Sequence, residues 1–398
     1  MSSGGLKLPK GWEVKKLGEI SLVGAGNSAP QNKELFKNGK YFFIRTSDVG
    51  KIKKGHINSS NDLLSEEGIL KLKLHKAGTI LFPKSGASTF LNHRVIMDID
   101  GYVSSHLATI KPNKRIKDRY VWFYLIMIDA KDLMQNIAYP SLKLSDIRKI
   151  PIPIPLFPEQ KRIVAILDKA FAEIAKAEAI AKTNLQNAKE LFESYLDNVF
   201  KNKSDDWEEK LLGDICKIES KLIDPKELKY QDFIHIGAGN IVSEKGMLID
   251  LKTAKEEALI SGKFLFDDSM VLYSKIRPYL MKIVKCEFKG LCSADIYPLT
   301  PIKGKLVQSF LYYLLLSSHF TKYAIEGSQR AGMPKVNRKH LFNYSFYCPL
   351  VKQQKQIIQK LDQLQFEIKK LEKIYQQKNE SLIALRKSIL QKAFEGEL

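Results

Sequence analysis

The sequence predicts a mixed α/β (α+β) fold: two similar globular domains joined by two long helices that pack as an antiparallel coiled coil. Three observations predict it. The opening GWEVKKLGEI at residues 11–20 returns as DWEEKLLGDI at residues 206–215. A long helical pattern following residue 156 returns after residue 350, and β-rich segments fill the stretch between opening and helix in both halves. These boundaries divide the chain into a first domain at 1–155, a first helix at 156–205, a second domain at 206–350 and a second helix at 351–398.

The longest pattern in the chain belongs to the two helices. Apolar or small residues recur at Ile163, Leu167, Ala170, Ile174, Ala177, Ala181, Ala188, Leu191 and Tyr195. Steps alternating between four and three describe a coiled-coil seam. The seam reappears 194 residues later at Ile357, Leu361, Leu364, Ile368, Leu371, Tyr375, Leu382, Leu385 and Ile389. Four seam positions of the first helix are Ala, whereas the second is rich in Leu and Tyr. Small against large suits the two helices packing together. At roughly 1.5 Å per residue each makes a rod on the order of 60 Å long, which reads as a spacer.

Between Trp12 and the first helix, strands are expected in residues 41–49, 78–84 and 101–112, then an apolar helix over 120–137. The second half offers 232–237, 269–275 and 290–301, then a helix over 307–325. The offset between matching segments drifts from 195 to 189 and returns to 194. That return places five extra residues within GSQRAGMPKVNR at 327–338, opposite the shorter YPSLKLS at 139–145. Alike scaffolds with unlike loops suit a molecule that reads two different targets.

Lys plus Arg number 64 against 44 Asp plus Glu, a formal charge of +20. Such an excess in a folded chain points to a polyanionic partner, nucleic acid before a membrane surface. No apolar run reaches the ~18 residues of a membrane span, and the start lacks the apolar core of a signal peptide. Cys216, Cys286, Cys292 and Cys348 form no C-x-x-C pair, so buried structural thiols in a cytoplasmic protein are expected. Catalytic signatures are missing too. There is no N-P-P-(Y/F), no G-x-x-x-x-G-K-(S/T) and no H-E-x-x-H, while GAG at 24–26 and 237–239 lacks a third glycine. The expectation is a chain that recognises and does not catalyse.

Two units opening on W-E-x-x-x-L-G-(E/D)-I, the first closing on IPIPLFPEQKRIV before its helix, resemble the specificity subunit of type I restriction–modification enzymes. The likeness covers nearly the whole chain. The second copy, YSFYCPLVKQQ at 344–354, keeps Pro349 and Gln354 but loses the I-P-I-P. The resemblance implies two target recognition domains that insert loops into the DNA major groove, held apart by the paired helices. It implies a bipartite target on double-stranded DNA. It also implies methyltransferase subunits docking on the long helices, and restriction subunits. No cofactor is expected on this chain; S-adenosylmethionine, ATP and Mg are expected on the partners.

Lys and Arg neutralise phosphates, while Arg, Lys, Asn and Gln also pair with base edges. In the first domain the candidate DNA-binding residues are Lys84, Ser85, Ser88, Asn92 and Arg94, with Tyr139 and Lys143 on a second loop. In the second they are Lys275, Arg277 and Tyr279, with Gln329, Arg330, Lys335, Asn337 and Arg338 on the longer loop. Any one of these alone also reads as a solvated surface charge. Charges on the long helices, such as Lys161, Arg162, Lys352, Lys355 and Lys360, read as a solvated outer face. A coiled-coil adaptor with incidental basic charge is the alternative function, and a nuclease or methyltransferase the rival from the enzyme class. An adaptor has no need of two unlike basic loops on matched scaffolds.

Overall fold

The computed structural model describes residues 8–134, 140–201, 204–218, 221–329 and 332–398. Contacts divide it into one unit of residues 1–180 with 377–398 and another of residues 181–376.

In the first unit, strand Glu13–Lys16 pairs antiparallel with Pro151–Ile154, Glu13 opposite Ile154. The I-P-I-P run is therefore a strand whose two prolines sit in a two-stranded ribbon, where few donors are lost. The helix Leu17–Ile20 follows at once, buries Leu17 and Ile20, and is opened by Glu19 accepting the Lys16 N–H at 2.9 Å. A side chain at Gly18 would meet Arg148 Cβ at 3.0 Å, so the glycine lets this turn press against helix Leu144–Arg148. These contacts account for L-G-(E/D)-I.

A five-stranded sheet runs in the order Ser21–Ala25, Leu107–Pro112, Ile80–Pro83, Arg94–Met97, Lys54–Ile57, antiparallel except for its last pair. A second sheet joins Asp62–Leu64, Tyr41–Ile44 and Tyr102–Val103. The strand expected over 41–49 stops at Ile44. There the Asp48 carboxylate accepts the Arg45 N–H at 2.9 Å and starts helix Thr46–Ile52. The expected apolar helix is shorter as well, Asp118–Met127, followed by the 3-10 turn Ala130–Leu133 that Asp129 caps.

The second unit repeats this plan with different trimmings. Glu208–Leu211 pairs with Ser345–Cys348, Glu208 opposite Cys348, so the segment without I-P-I-P makes the same ribbon. Helix Leu212–Ile215 is opened by Asp214, and Gly213 lies 3.1 Å in this sense from Phe342 Cβ. The central sheet has four strands in the matching order, Cys216–Lys217, Ile296–Pro301, Val271–Ser274 and Ile283–Lys285. The smaller sheet is enlarged to five strands around the parallel pair Ile234–Ile236 and Gly290–Cys292. The apolar helix expected over 307–325 is two, Gln308–Leu316 and Ser318–Glu326, broken where the Ser317 hydroxyl accepts the Phe320 N–H at 3.2 Å. All four cysteines are buried and free. Burial pushes the Cys216 and Cys286 thiols up to about 12, which leaves them unreactive packing groups.

The long helices are Phe157–Lys201 and Val351–Glu395. Within the first unit Arg386 binds Glu178 at 3.0 Å while Arg162 donates to the Leu398 carbonyl at 2.6 Å. Rising numbers on one helix thus meet falling numbers on the other, which makes the pair antiparallel. In the second unit Lys189 faces Glu372 at 2.8 Å. The seam departs from expectation near each C-terminal end: Leu191 and Leu385 are 59% and 45% exposed. There the helices turn a different face inward, toward the globular cores. Leu196 and Phe200 enter the second core, and Leu390, Ala393 and Phe394 the first. The helix starts enter complementary places, Ile163 and Leu167 in the first core, Ile358 and Leu361 in the second.

One buried side chain ties each helix start to its domain. Gln160 accepts the Lys117 N–H at 2.9 Å and donates to the Pro155 carbonyl at 3.0 Å. Gln354 accepts the Val307 N–H at 2.8 Å and donates to the Lys305 and Pro349 carbonyls at 2.8 and 2.9 Å. The glutamine thus satisfies a free N–H at the start of the apolar helix and fixes the proline-marked bend beside it.

Candidate nucleic-acid interface

The two candidate loops of each domain, far apart in sequence, are held together by the backbone. In the first domain the chain leaving strand Ile80–Pro83 runs alongside residues 140–142. Gly86 N–H donates to the Pro140 carbonyl at 2.9 Å and Leu142 N–H to the Lys84 carbonyl at 2.8 Å. In the second, Arg277 N–H donates to Pro334 at 2.9 Å and Val336 N–H to Lys275 at 2.8 Å. Leu142 and Val336 are the buried pegs of these ribbons. Gly86 and Arg277 occupy equivalent positions and both have positive φ, +76° and +49°. A positive φ at arginine costs energy that it does not cost at glycine.

A third segment completes each ribbon. Lys84 N–H donates to the His106 carbonyl and Lys275 N–H to the Asp295 carbonyl, both at 3.0 Å. In the first domain the Ser85 hydroxyl and His106 Nδ1 share a hydrogen bond of 2.7 Å, and Ser88 donates to the Ser85 carbonyl at 3.2 Å. Lys84 is half-buried; Lys143 is exposed at the start of helix Leu144–Arg148. In the second domain Arg277, Tyr279, Gln329, Asn337 and Arg338 are exposed. The Lys335 and Lys275 ammonium groups lie 3.3 and 3.7 Å from Asp295 Oδ1.

Several candidates are placed elsewhere or are already engaged. Arg94 is 0% exposed, with its guanidinium 3.2 Å from the Phe82 ring centroid and Nη1 donating to the His93 carbonyl at 2.8 Å. Burial pulls it down to about 9, opposed by Asp129, so at neutral pH it is a charged group that cannot reach DNA. Asn92 is spent on the fold: it donates to Asp129 Oδ1 at 3.0 Å and accepts the Ala130 N–H at 2.8 Å. Lys275 is turned inward, its side chain 12% exposed, donating to the Ala294 carbonyl and lying over Tyr297. Burial first, then the neighbouring Lys335 charge, holds Lys275 below the ordinary lysine value, with Asp295 opposing. Asn337 keeps its amide N–H2 at the surface while its carbonyl oxygen accepts the His340 N–H at 2.8 Å and caps helix Arg338–Phe342. Tyr139 and Arg330 lie outside the described residues.

Sequence reasoning missed His106 and Asp295. A signal was present, since the matched segments 101–112 and 290–301 put a histidine opposite an aspartate on otherwise equivalent strands. What arises in each domain is a ribbon of hydrogen-bonding side chains and cations at the end of an interior strand of the central sheet. Phosphate contacts and base-edge contacts draw on side chains of these types. Among the described residues no group of three His, Cys, Asp or Glu is placed to hold a metal ion.

The sequence pattern of the type I restriction modification DNA specificity domain matches residues 9–183 and again 204–380. The chain belongs to that family. As a specificity subunit it carries the domain twice, one copy in each half. It is similar to the type I restriction enzyme EcoDI specificity subunit of Escherichia coli, 26% identical over 438 residues, covering 100% of this chain and 90% of that one. The MjaVIII specificity subunit of Methanocaldococcus jannaschii is 22% identical over 423 residues, 93% of this chain and 90% of its own. Among solved structures, a chain of the type I R-M system superposes with a TM-score of 0.78 at 20% identity, over 98% of this chain and 100% of that chain. The HsdS subunit from Thermoanaerobacter tengcongensis gives 0.62 at 21% identity, each chain covered fully. At these identities the superpositions speak for the fold alone.

Proposed function

We propose that each recognition domain of this specificity subunit reads one half of a bipartite double-stranded DNA target through its loop ribbon. The observation that carries this is the pair of ribbons: the same backbone hydrogen bonds, presenting unlike side chains. The first offers Lys84, Ser85, Ser88, His106 and Lys143; the second offers Arg277, Tyr279, Gln329, Lys335, Asn337 and Arg338 around Asp295. An adaptor would gain nothing from that difference. The long helices set the spacing between half-sites and receive the methyltransferase subunits. Supporting this docking, large apolar residues stay exposed at matching positions of the two repeats, Ile180 with Ile374 and Leu191 with Leu385 on the helices and Leu156 with Leu350 just before them. Restriction subunits join the same complex. S-adenosylmethionine, ATP and Mg reside on those partners, and the assembly works in the cytoplasm; no helix among the described residues is long and apolar enough to cross a membrane.

The test uses the complex with its methyltransferase subunits and a randomised DNA library. Replacing Lys84 and Ser85 by Ala relaxes base preference in one half of the selected target. Replacing Arg277 and Arg338 relaxes it in the other half. Relaxation of both halves by either pair contradicts the assignment of one domain to one half.

A further inference from the structure

We infer that Asp295 is a specificity-determining residue of the second domain, selecting a base that presents an amino group in the major groove, cytosine or adenine. The inference rests on the reading that each domain contacts one half of the DNA target.

The first support is positional. Asp295 and His106 hold the same backbone place, each accepting the N–H of the lysine that follows the neighbouring strand at 3.0 Å. One residue later each chain turns into its central strand, with Leu107 N–H donating to Ser104 at 3.0 Å and Ile296 N–H to Ser293 at 2.9 Å. The scaffold accepts either side chain, so backbone geometry does not demand an acid here.

The second support is electrostatic. A carboxylate beside a polyanion is repelled, and a +20 chain gains nothing from an acid on its DNA face unless that acid has a task. The Asp295 side chain is 45% exposed and sits between the ammonium groups of Lys335 and Lys275. The trio carries a net charge of +1, which removes the repulsion while leaving an oxygen acceptor at the surface. An ionised carboxylate only accepts hydrogen bonds. In the major groove the donors it can accept from are cytosine N4 and adenine N6, whereas guanine and thymine present acceptors there. His106, hydrogen-bonded to Ser85 through Nδ1, presents a different chemistry from the same position.

The experiment uses the complex assembled with its methyltransferase subunits and DNA carrying its target. The major-groove amino groups of the second half-site, cytosine N4 and adenine N6, are removed one at a time with base analogues, and affinity is measured. At one position removal weakens binding by roughly ten- to a hundredfold. The Asp295→Ala complex, which has no acceptor there, shows no such loss on removing that same amino group and loses discrimination at that base alone. Two results overturn the inference: no amino group whose removal is felt, or one felt equally with aspartate and alanine. The wild-type analogue scan decides even where the variant does not fold. Changes spread over both half-sites would point instead to failure of the one-domain, one-half reading.

Discussion

At the scale of single residues, a cation's position in the fold decides what it does. Arg94 follows a candidate loop by only a few residues and looked capable of reaching DNA, yet strand Arg94–Met97 turns it inward under Phe82. Alternation along that strand was legible in RVIM only in part, because all four residues are buried. A buried guanidinium with no carboxylate in ion-pair contact among the described residues carries a desolvation cost that an apolar side chain of similar length avoids. Arg94→Met should therefore leave DNA affinity unchanged and hold or raise the thermal midpoint; a selective fall in affinity would return Arg94 to the interface. Buried histidines make stability depend on pH. Burial, then Lys73, lowers His75 from 6.5 to about 4. The unfolded chain thus binds a proton that the folded chain refuses, and stability falls as pH drops from about 6.5 toward 4. Burial shifts His93 and His235 the same way. Thermal midpoints at pH 5 should lie below those at pH 7, with a shallower difference in His75→Gln; an equal difference would acquit His75.

At the scale of elements, the motif residues prove to be joints. Gln160 and Gln354 looked like fragments of a family signature; in the fold each bridges a helix start, a strand end and a second helix start. Gln160→Ala leaves the Lys117 N–H and the Pro155 carbonyl without their partner. At about 1–3 kcal/mol for each buried unsatisfied group, the loss is about 2–6 kcal/mol, read by denaturant unfolding. A loss below about 1 kcal/mol would reduce the glutamine to a packing residue. The seam was legible over most of both helices because heptad spacing survives wherever helix meets helix. It misled at Leu191 and Leu385 because the helix ends serve the globular cores, whose residues lie elsewhere in the chain. The break at Ser317 was hidden for a similar reason: an apolar run has no period that distinguishes one helix from two. Removing seven residues from each long helix at matched levels shortens the pair by about 10 Å. At about 3.4 Å per base pair the unspecified gap should contract by about three base pairs with both half-sites intact. An unchanged gap would deny the helices their role as a ruler.

At the scale of the whole molecule, duplication and net charge are the facts from which function follows. The repeat was visible from two tryptophans and two helices, and the family match falls on both copies. Which side chains meet DNA was less visible, since His106 and Asp295 join the ribbons through backbone bonds between segments distant in sequence. Whether this chain reads a bipartite target is decided by a methylation map of a genome carrying it with its methyltransferase subunit, before and after the chain is deleted. A single motif of two short defined segments with a fixed gap, lost on deletion, is the expected result. A continuous motif, or methylation that persists without the chain, would contradict it.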